Sequence, residues 1–491
     1  MIKLDQRACG ILCPIFSLPS KFGIGTLGKA AFDFVDYLSE AGYKYWQILP
    51  IHPPTIDNSP YTAYSAFAGN ETLLDLDELC ESGYISATDY ENLEFGEDES
   101  RVDYISLIDS RSKIYKILFK NFKENKPSDF DKFCEDEADW LDGYAQFMAI
   151  HDHLDGAVLV DWPHEYKKPT SDFLNNFWEA HADEILYYKV LQYCFFKQWN
   201  KLKTYANSKD VYIVGDIPYY VSGNSADVWQ NPECFNIDDD LNPIQVAGCP
   251  PDMFCVDGQL WGNPVYDWNY LKDNDYSWWI NRLRQSFRFF DVLRIDHFRG
   301  FESYYSIAAD AKTAKTGEWV KGPGFDLFKT MNEKLGQKPI IAEDLGYITQ
   351  AVFDLLHDCG YPGMKVLQFG FDSRVEPKEA EIYLPHNVVE NSVCYIGTHD
   401  NDTLQGWIDN ASDDDIEAAL SYFKLESKDE LFDKLMDTLL NSVANTRIIC
   451  VQDLLRLGSW SRINTPALVS TENWSWRLTQ KQFDELRGKN E

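Results

Sequence analysis

The sequence predicts an α/β fold, a (β/α)8 barrel in which eight parallel strands alternate with helices. Short apolar runs rich in β-branched or aromatic residues recur along the chain, and each ends in polar or glycine-bearing residues. Segments with helical spacing of apolar residues, such as 30–41 and 278–290, lie between several of these runs. Apolar strands that alternate with helices form a parallel sheet covered on both faces, and eight such units close into a barrel.

The predicted strands come at uneven intervals along the chain. In chain order they are Gly10–Phe16, Tyr45–Ile51, Val211–Pro218, Val292–Phe298, Pro339–Asp344, Met364–Phe369, Val393–Thr398 and Arg447–Asp453. In such a barrel the C-terminal strand ends meet at one mouth, and the loops that follow them form the active site.

The second and third strands are followed by connections too long for a simple crossover. The first contains amphipathic helical patterns, which predict a mainly helical inserted subdomain over 57–205. The second is rich in Asn, Asp, Pro, Gly and Trp, and we interpret 219–290 as a loop-rich inserted subdomain of irregular structure. We expect the chain, 1–491, to be a single catalytic barrel without a C-terminal β-sandwich.

Composition argues against several classes of partner and location. The formal net charge is −34 and the isoelectric point about 4.6. Nucleic acids and anionic membranes attract positive charge, so we expect neither as a partner. No secretory signal follows the N-terminus, and no stretch reaches the roughly 18 apolar residues of a membrane span. The 11 cysteines lack paired CxxC spacing, which favours free thiols in a reducing cytoplasm.

Carboxylates stand at the ends of four predicted strands. They are Asp216 in VGDIP, Asp296 in RIDHFRG, Glu343 in AEDLG and Asp400 in GTHDNDT. A single acid in such a place could cap the next helix, and Asp296 with a neighbouring arginine could form an ion pair at the barrel rim. Four acids that converge on one mouth favour chemistry over these structural roles.

Convergent carboxylates suit either a divalent metal site or the cleavage of glycosidic bonds. Arg294 lies two residues before Asp296 and therefore on the same strand face. Its guanidinium would keep that carboxylate ionised and would compete with a metal cation for it. We therefore favour sugar chemistry and expect no metal. Tyr61 and Trp261 offer aromatic faces near the mouth on which sugar rings could stack.

Together these motifs resemble the 4-α-glucanotransferases, also called amylomaltases or disproportionating enzymes, which form glycoside hydrolase family 77 of the α-amylase superfamily. The matching stretches run from Gly10 to Arg477 and so cover nearly the whole chain. The most specific are SPYTAYSAFAGN, PPDMFCVDGQLWGNP, RIDHFRG, AEDLG and GTHDNDT, in that order along the sequence.

The resemblance implies transfer of an α-1,4-glucan segment to the 4-hydroxyl of another glucan or of glucose, by a retaining mechanism without a cofactor. It implies Asp296 as nucleophile, Glu343 as general acid and base, and Asp400 as a third carboxylate that grips the sugar. The stretch 247–264 would be a loop that covers the glucan and excludes water. The implied substrate-binding residues are Ser59, Tyr61, Asp216, Gln259, Trp261, Arg294, Asp372 and His399.

Two alternatives stay open on the residues alone: a hydrolase with water as acceptor, and a glucan-binding barrel without catalysis. For catalysis Glu343 must be protonated near neutral pH, so its pKa must be raised by burial or by nearby charge, for which Asp400 and Asp344 are candidates. The partners expected are α-1,4-glucans and malto-oligosaccharides, with glucose as an acceptor. We expect a monomer or a weak homo-oligomer.

Overall fold

Residues 4–251 and 257–488 are described in the structure, a computed structural model. The strands β1 to β12 are, in order, Ala8–Leu12, Tyr45–Gln47, Tyr212–Ile217, Gln245–Cys249, Gln259–Pro264, Val292–Ile295, Ser303–Ala308, Glu318–Lys321, Ile340–Ala342, Gly363–Val366, Ser392–Tyr395 and Thr446–Cys450.

The helices α1 to α19 lie mostly outside the strands of the barrel. In order they are Lys29–Glu40, Leu76–Glu81, Tyr104–Glu124, Phe130–Asp136, Ala138–His153, His164–Lys167, Ser171–Ala180, Ala182–Ser208, Ala226–Gln230, Trp268–Asp273, Ser277–Phe289, Phe325–Leu335, Gln350–Cys359, Pro377–Glu381, Leu404–Asn410, Asp413–Phe423, Leu431–Asn441, Val451–Leu454 and Gln480–Gly488.

Among the described residues, eight parallel strands close into a barrel in the order β1, β2, β3, β6, β9, β10, β11, β12. The predicted fold class is therefore confirmed. The strands stop earlier than predicted at their C-terminal ends. β6 ends at Ile295 because the chain leaves the sheet at Asp296 and turns at His297, whose φ is 49°. β1 ends at Leu12, shortly before Pro14, which has no N–H to donate to a ladder.

The long connection from β2 to β3 holds the helices α2 to α8, and it also carries the loop that contains Tyr61. Buried polar side chains fix this loop in place. Gln192 of α8 exchanges hydrogen bonds of 2.7 and 2.8 Å with the backbone of Gly69. Asp227 of α9 accepts a bond of 2.8 Å from the backbone N–H of Ala66. Buried backbone groups that are paired in this way hold an irregular segment rigid.

The stretch 219–290 is more regular than our interpretation of it as irregular loops. It contains α9, α10 and α11 as well as the strands β4 and β5. These strands join β7 and β8 in an antiparallel sheet of order β5, β4, β7, β8. The strand β7 lies outside the stretch in sequence, and Gly248 and Pro264 weaken the local strand pattern. Local composition therefore concealed this sheet.

The predicted covering loop, 247–264, is built on the same sheet. Its two sides are the paired strands β4 and β5, with Gly248 opposite Leu260 and Cys249 opposite Gln259. Its residues 252–256, which include Cys255, lie outside the described residues. In the part of the chain that the structure describes, no helix is long and apolar enough to cross a membrane.

Candidate active site

Arg294 is the centre of a charged cluster at the mouth of the barrel. Its Nη1 donates to Asp216 Oδ2 at 2.6 Å and its Nη2 to Asp296 Oδ1 at 3.0 Å. The register of β3 and β6 sets Asp216 opposite Arg294, and the two-residue spacing sets Asp296 on the same face. The side chains of Arg294 and Asp216 are fully buried, whereas the side chain of Asp296 is 30% exposed. Of the three, Asp296 is thus the group that an incoming molecule reaches.

Glu343 follows β9 and is held by two backbone amides. Its Oε1 accepts from Leu345 N–H at 2.8 Å, and its Oε2 accepts from His297 N–H at 2.7 Å. His297 directly follows Asp296, so this bond brings the acid and the candidate nucleophile to adjacent positions. Since neither amide can accept a hydrogen bond, a proton on Glu343 must point away from both of them.

Burial raises the pKa of Glu343 to about 8, and the negative charge of Asp296 contributes to this rise. The source of that charge differs from the sequence expectation, which named Asp400 and Asp344. The carboxylate of Asp344 instead accepts from the backbone N–H of Met364 at 2.6 Å, on the next strand. Successive residues of an extended chain point to opposite sides, so Asp344 faces away from Glu343.

Burial also raises the pKa of Asp296, but the guanidinium of Arg294 opposes that rise. Burial raises the pKa of Asp216 to about 7, again against Arg294. Because Arg294 hydrogen-bonds Asp296 and not Glu343, negative charge is most stable on Asp296 and the proton on Glu343. The cluster thus distinguishes two neighbouring carboxyl groups, one that holds a proton better and one that holds a negative charge better.

Asp400 is oriented by residues that the sequence analysis did not single out. Asn464 Nδ2 donates to Asp400 Oδ1 at 2.7 Å, and Arg462 Nη2 donates to the backbone carbonyl of Asp400 at 2.9 Å. Both lie in the loop after β12, far from Asp400 in sequence. No strand-end pattern marks them, and the pairing of β11 with β12 brings them to this carboxylate.

Tyr61 links two parts of the site. Its hydroxyl donates to Asp216 Oδ2 at 2.8 Å and lies 2.9 Å from His399 Nε2. Its ring stacks on that of His399 with centroids 5.4 Å apart. Burial lowers the pKa of His399, so the imidazole is neutral. The same nitrogen lies 3.3 Å from Asp400 Oδ2, so a proton on Nε2 would face both the tyrosine oxygen and that carboxylate.

We predict that Tyr61→Phe lowers kcat about tenfold, because it removes the donor from a buried carboxylate, a loss of about 1.5 kcal/mol or more. Steady-state kinetics on a malto-oligosaccharide measures the effect. Tyr64→Phe is the matched control, since Tyr64 lies in the same loop as Tyr61 and its hydroxyl lies 3.5 Å from Nε2 of His151 on α5. Equal activity of Tyr61→Phe and Tyr64→Phe would show that the bond to Asp216 has no part in turnover.

The other expected substrate residues are placed unequally. Trp261 of β5 is 38% exposed, and its ring meets that of His297 edge to face at 5.0 Å, next to Asp296. Gln259 accepts from Trp261 Nε1 at 3.1 Å. Asp372 follows β10 and is paired with the guanidinium of Arg374 at 2.7 Å, outside the Arg294 cluster.

Ser59 lies two residues before Tyr61 in the same turn. Its hydroxyl accepts from the backbone N–H of Tyr61 at 3.3 Å and so supports the turn that presents that tyrosine. Within the described residues, no group of three or more His, Cys, Asp or Glu side chains is arranged to hold a metal ion.

The family model of the 4-alpha-glucanotransferases, glycoside hydrolase family 77, matches residues 13–482. The chain belongs to the 4-alpha-glucanotransferase family. Over 483 residues it is 44% identical to the 4-alpha-glucanotransferase of Streptococcus pneumoniae serotype 4, which covers 98% of this chain and 95% of that protein. The 4-alpha-glucanotransferase of Thermus thermophilus is 42% identical over 493 residues, covering 98% of this chain and 97% of that protein.

Two solved structures of amylomaltases share the fold. Amylomaltase from Streptococcus agalactiae in complex with acarbose superposes with a TM-score of 0.94 at 41% identity, over 99% of this chain and 98% of that one. Amylomaltase from Corynebacterium glutamicum gives a TM-score of 0.74 at 18% identity, over 99% of this chain and 74% of that one, which shows a common fold.

Proposed function

We propose that this 4-α-glucanotransferase moves a segment of an α-1,4-glucan to the 4-hydroxyl of an acceptor glucan or of glucose, with retention of configuration. One observation carries the proposal: Glu343, whose pKa is raised to about 8, accepts a hydrogen bond from the amide that follows Asp296, and Arg294 stabilises the negative charge of Asp296. Retaining glycosidic chemistry needs such a pair, one carboxylate as nucleophile and one carboxylic acid as proton donor.

In the first step a carboxylate oxygen of Asp296 attacks the anomeric carbon of the donor. The bond from that carbon to the O4 of the departing segment breaks, and Glu343 gives its proton to this oxygen. The products are a glycosyl ester on Asp296, a free glucan end and an ionised Glu343.

Ester formation also prepares the second step. The negative charge of Asp296 contributes to the raised pKa of Glu343, and the ester removes that charge. The pKa of Glu343 therefore falls, and Glu343 becomes a base at neutral pH. It takes the proton of the acceptor's 4-hydroxyl, whose oxygen attacks the anomeric carbon and releases Asp296.

The remaining residues of the mouth would bind the sugar. Asp400, fixed by Asn464, offers its second oxygen to hydroxyls of the reacting glucose unit. Tyr61 offers an aromatic face beside it, and Trp261 offers another from β5, above His297. We propose that six further residues support substrate binding at this mouth: Ser59, Asp216, Gln259, Arg294, Asp372 and His399.

The two inserted regions would each contribute an aromatic side chain to the mouth of the barrel. The helical region 57–205 presents Tyr61, and the region 219–290 presents Trp261. We propose that the loop 247–264 closes over the glucan and excludes water, so that the ester waits for a sugar acceptor. Because all these residues belong to one chain, a single chain is a sufficient catalytic unit, with malto-oligosaccharides as substrates.

Incubation with maltotriose tests transfer against hydrolysis. We predict glucose together with longer malto-oligosaccharides, while the total number of reducing ends stays constant, because each bond broken is matched by one formed. Chromatography gives the products and a reducing-sugar assay gives the ends. A steady rise in reducing ends would contradict the proposal and indicate water as the acceptor. Asp296→Asn serves as the blank.

A further inference from the structure

A cavity of about 700 Å³ lies on the outer face of the barrel, beside β9, β10 and β11. A volume of this size is typical of small-molecule sites. The cavity exists because the connection from β10 to β11 carries only the five-residue helix α14, where a regular barrel unit has a longer helix. The outer face of β10 is therefore left partly open, and Lys365 forms part of the floor.

Lys365 points out of the barrel into this cavity. The preceding residue, Met364, points inward, where its sulfur lies 3.4 Å from Arg294 Nε, and side chains alternate along a strand. Lys365 is only 9% exposed. Its ammonium lies 5.6 Å from the ring centroid of Tyr383, and it makes no hydrogen bond or ion pair within 4.0 Å with any described residue. Since the lysine as a whole is this little exposed, its ammonium meets solvent at the cavity, where a bound molecule can become its partner.

Asp344 is the second buried charged group of the cavity wall. Its carboxylate accepts from Met364 N–H, and it lines the same cavity as Lys365 without forming an ion pair with it within 4.0 Å. A hydroxyl group suits such a pair, since it can accept from the ammonium and donate to the carboxylate. An anion would meet the repulsion of Asp344, and a cation that of Lys365.

The rest of the wall suits the same class of molecule. Leu356, Tyr361 and Ile382 supply apolar surface, while Lys378 and Glu381 at the rim add one charge of each sign. We propose that the cavity binds a small neutral polyhydroxylated molecule, the class to which glucose belongs, with a hydroxyl between Lys365 and Asp344. This site is separate from the cleft, so the proposal does not depend on the transfer reaction.

The test uses glucose as the neutral probe and glucose 6-phosphate as its anionic counterpart. Crystals of the full chain soaked in each sugar locate binding, and saturation-transfer NMR measures it in solution. Lys365→Met removes the ammonium but keeps the apolar stem, and Lys329→Met, on the exposed side of α12, is the matched control. We expect glucose in the cavity, with affinity reduced about tenfold by Lys365→Met and unchanged by Lys329→Met.

Thermal unfolding separates binding from a structural role. Because Lys365 has no partner, Lys365→Met should keep or raise Tm, whereas a lower Tm would mark the lysine as structural and overturn the proposal. Glucose 6-phosphate bound in preference to glucose would overturn the neutral class. Water alone in the soaked cavity, with identical NMR binding for Lys365→Met and the unaltered protein, would overturn the site itself. Because glucose is also a proposed acceptor in the cleft, the crystal assigns the site, and only the part of the NMR signal that differs between Lys365→Met and Lys329→Met counts for the cavity; neither readout needs turnover.

Discussion

Asp296→Asn is expected to lower kcat by a factor of about 10⁴ or more, with little change in Tm. The amide of asparagine cannot form the glycosyl ester, so the first step of the double displacement, the attack on the anomeric carbon, is prevented. The side chain keeps its size and remains within reach of Arg294, so the fold is preserved. Initial rates of oligosaccharide exchange, measured beside a thermal unfolding curve, give both quantities. Full turnover of the asparagine variant would remove Asp296 from the nucleophile's role.

Two further measurements make that test specific. Asp291→Asn is the matched control, because Asp291 precedes β6 at the opposite end of the barrel, where it accepts from Ile213 N–H at 2.9 Å. Its kcat should stay within about twofold of the unaltered protein. Asp296→Ala, given azide and a glycosyl fluoride donor, should recover turnover and yield a β-glycosyl azide, since azide then attacks from the vacated side. An α-glycosyl azide would contradict a nucleophile at this position.

The parts of the site that sequence predicts are those set by strand geometry. Arg294 and Asp296 meet because two residues of extended chain return to the same face, and Asp216 joins them because its strand pairs with theirs. Strand ends converge in any parallel barrel, so the common mouth of Asp296 and Glu343 also follows from the pattern of apolar runs.

The parts that sequence does not predict depend on contacts between distant segments. Asn464 reaches Asp400 only through the loop after β12, and no periodicity marks that loop. The sheet of β4, β5, β7 and β8 is likewise joined at its centre by the pairing of β4 with β7, whose partner residues lie more than 50 residues apart in sequence, and local propensity cannot register such a pairing. The sequence also does not show which negative charge helps to raise the pKa of Glu343, because that depends on whether the side chain of Asp344 faces Glu343.

The pH dependence of turnover tests the role of Glu343. Its pKa is raised to about 8, so the carboxyl is protonated below that pH and ionised above it. The first step needs the proton, so we predict that the rate of ester formation is highest below pH 8 and falls about tenfold per pH unit well above it. Single-turnover rates across pH with a malto-oligosaccharide donor measure this limb. A rate that stays level to pH 10 would contradict a carboxylic acid as the donor.

Glu343→Gln should lower kcat on malto-oligosaccharides by about 10³ to 10⁴, because no proton reaches the departing O4. The amide keeps an oxygen that can accept from His297 N–H or Leu345 N–H, so the fold should remain. A glycosyl fluoride has a leaving group that needs no acid, and with it the variant should still form the ester on Asp296 at a rate close to that of the unaltered protein. The basic limb near pH 8 should vanish at the same time. If both donors lost activity equally, Glu343 would be required for binding or structure and not for moving the proton.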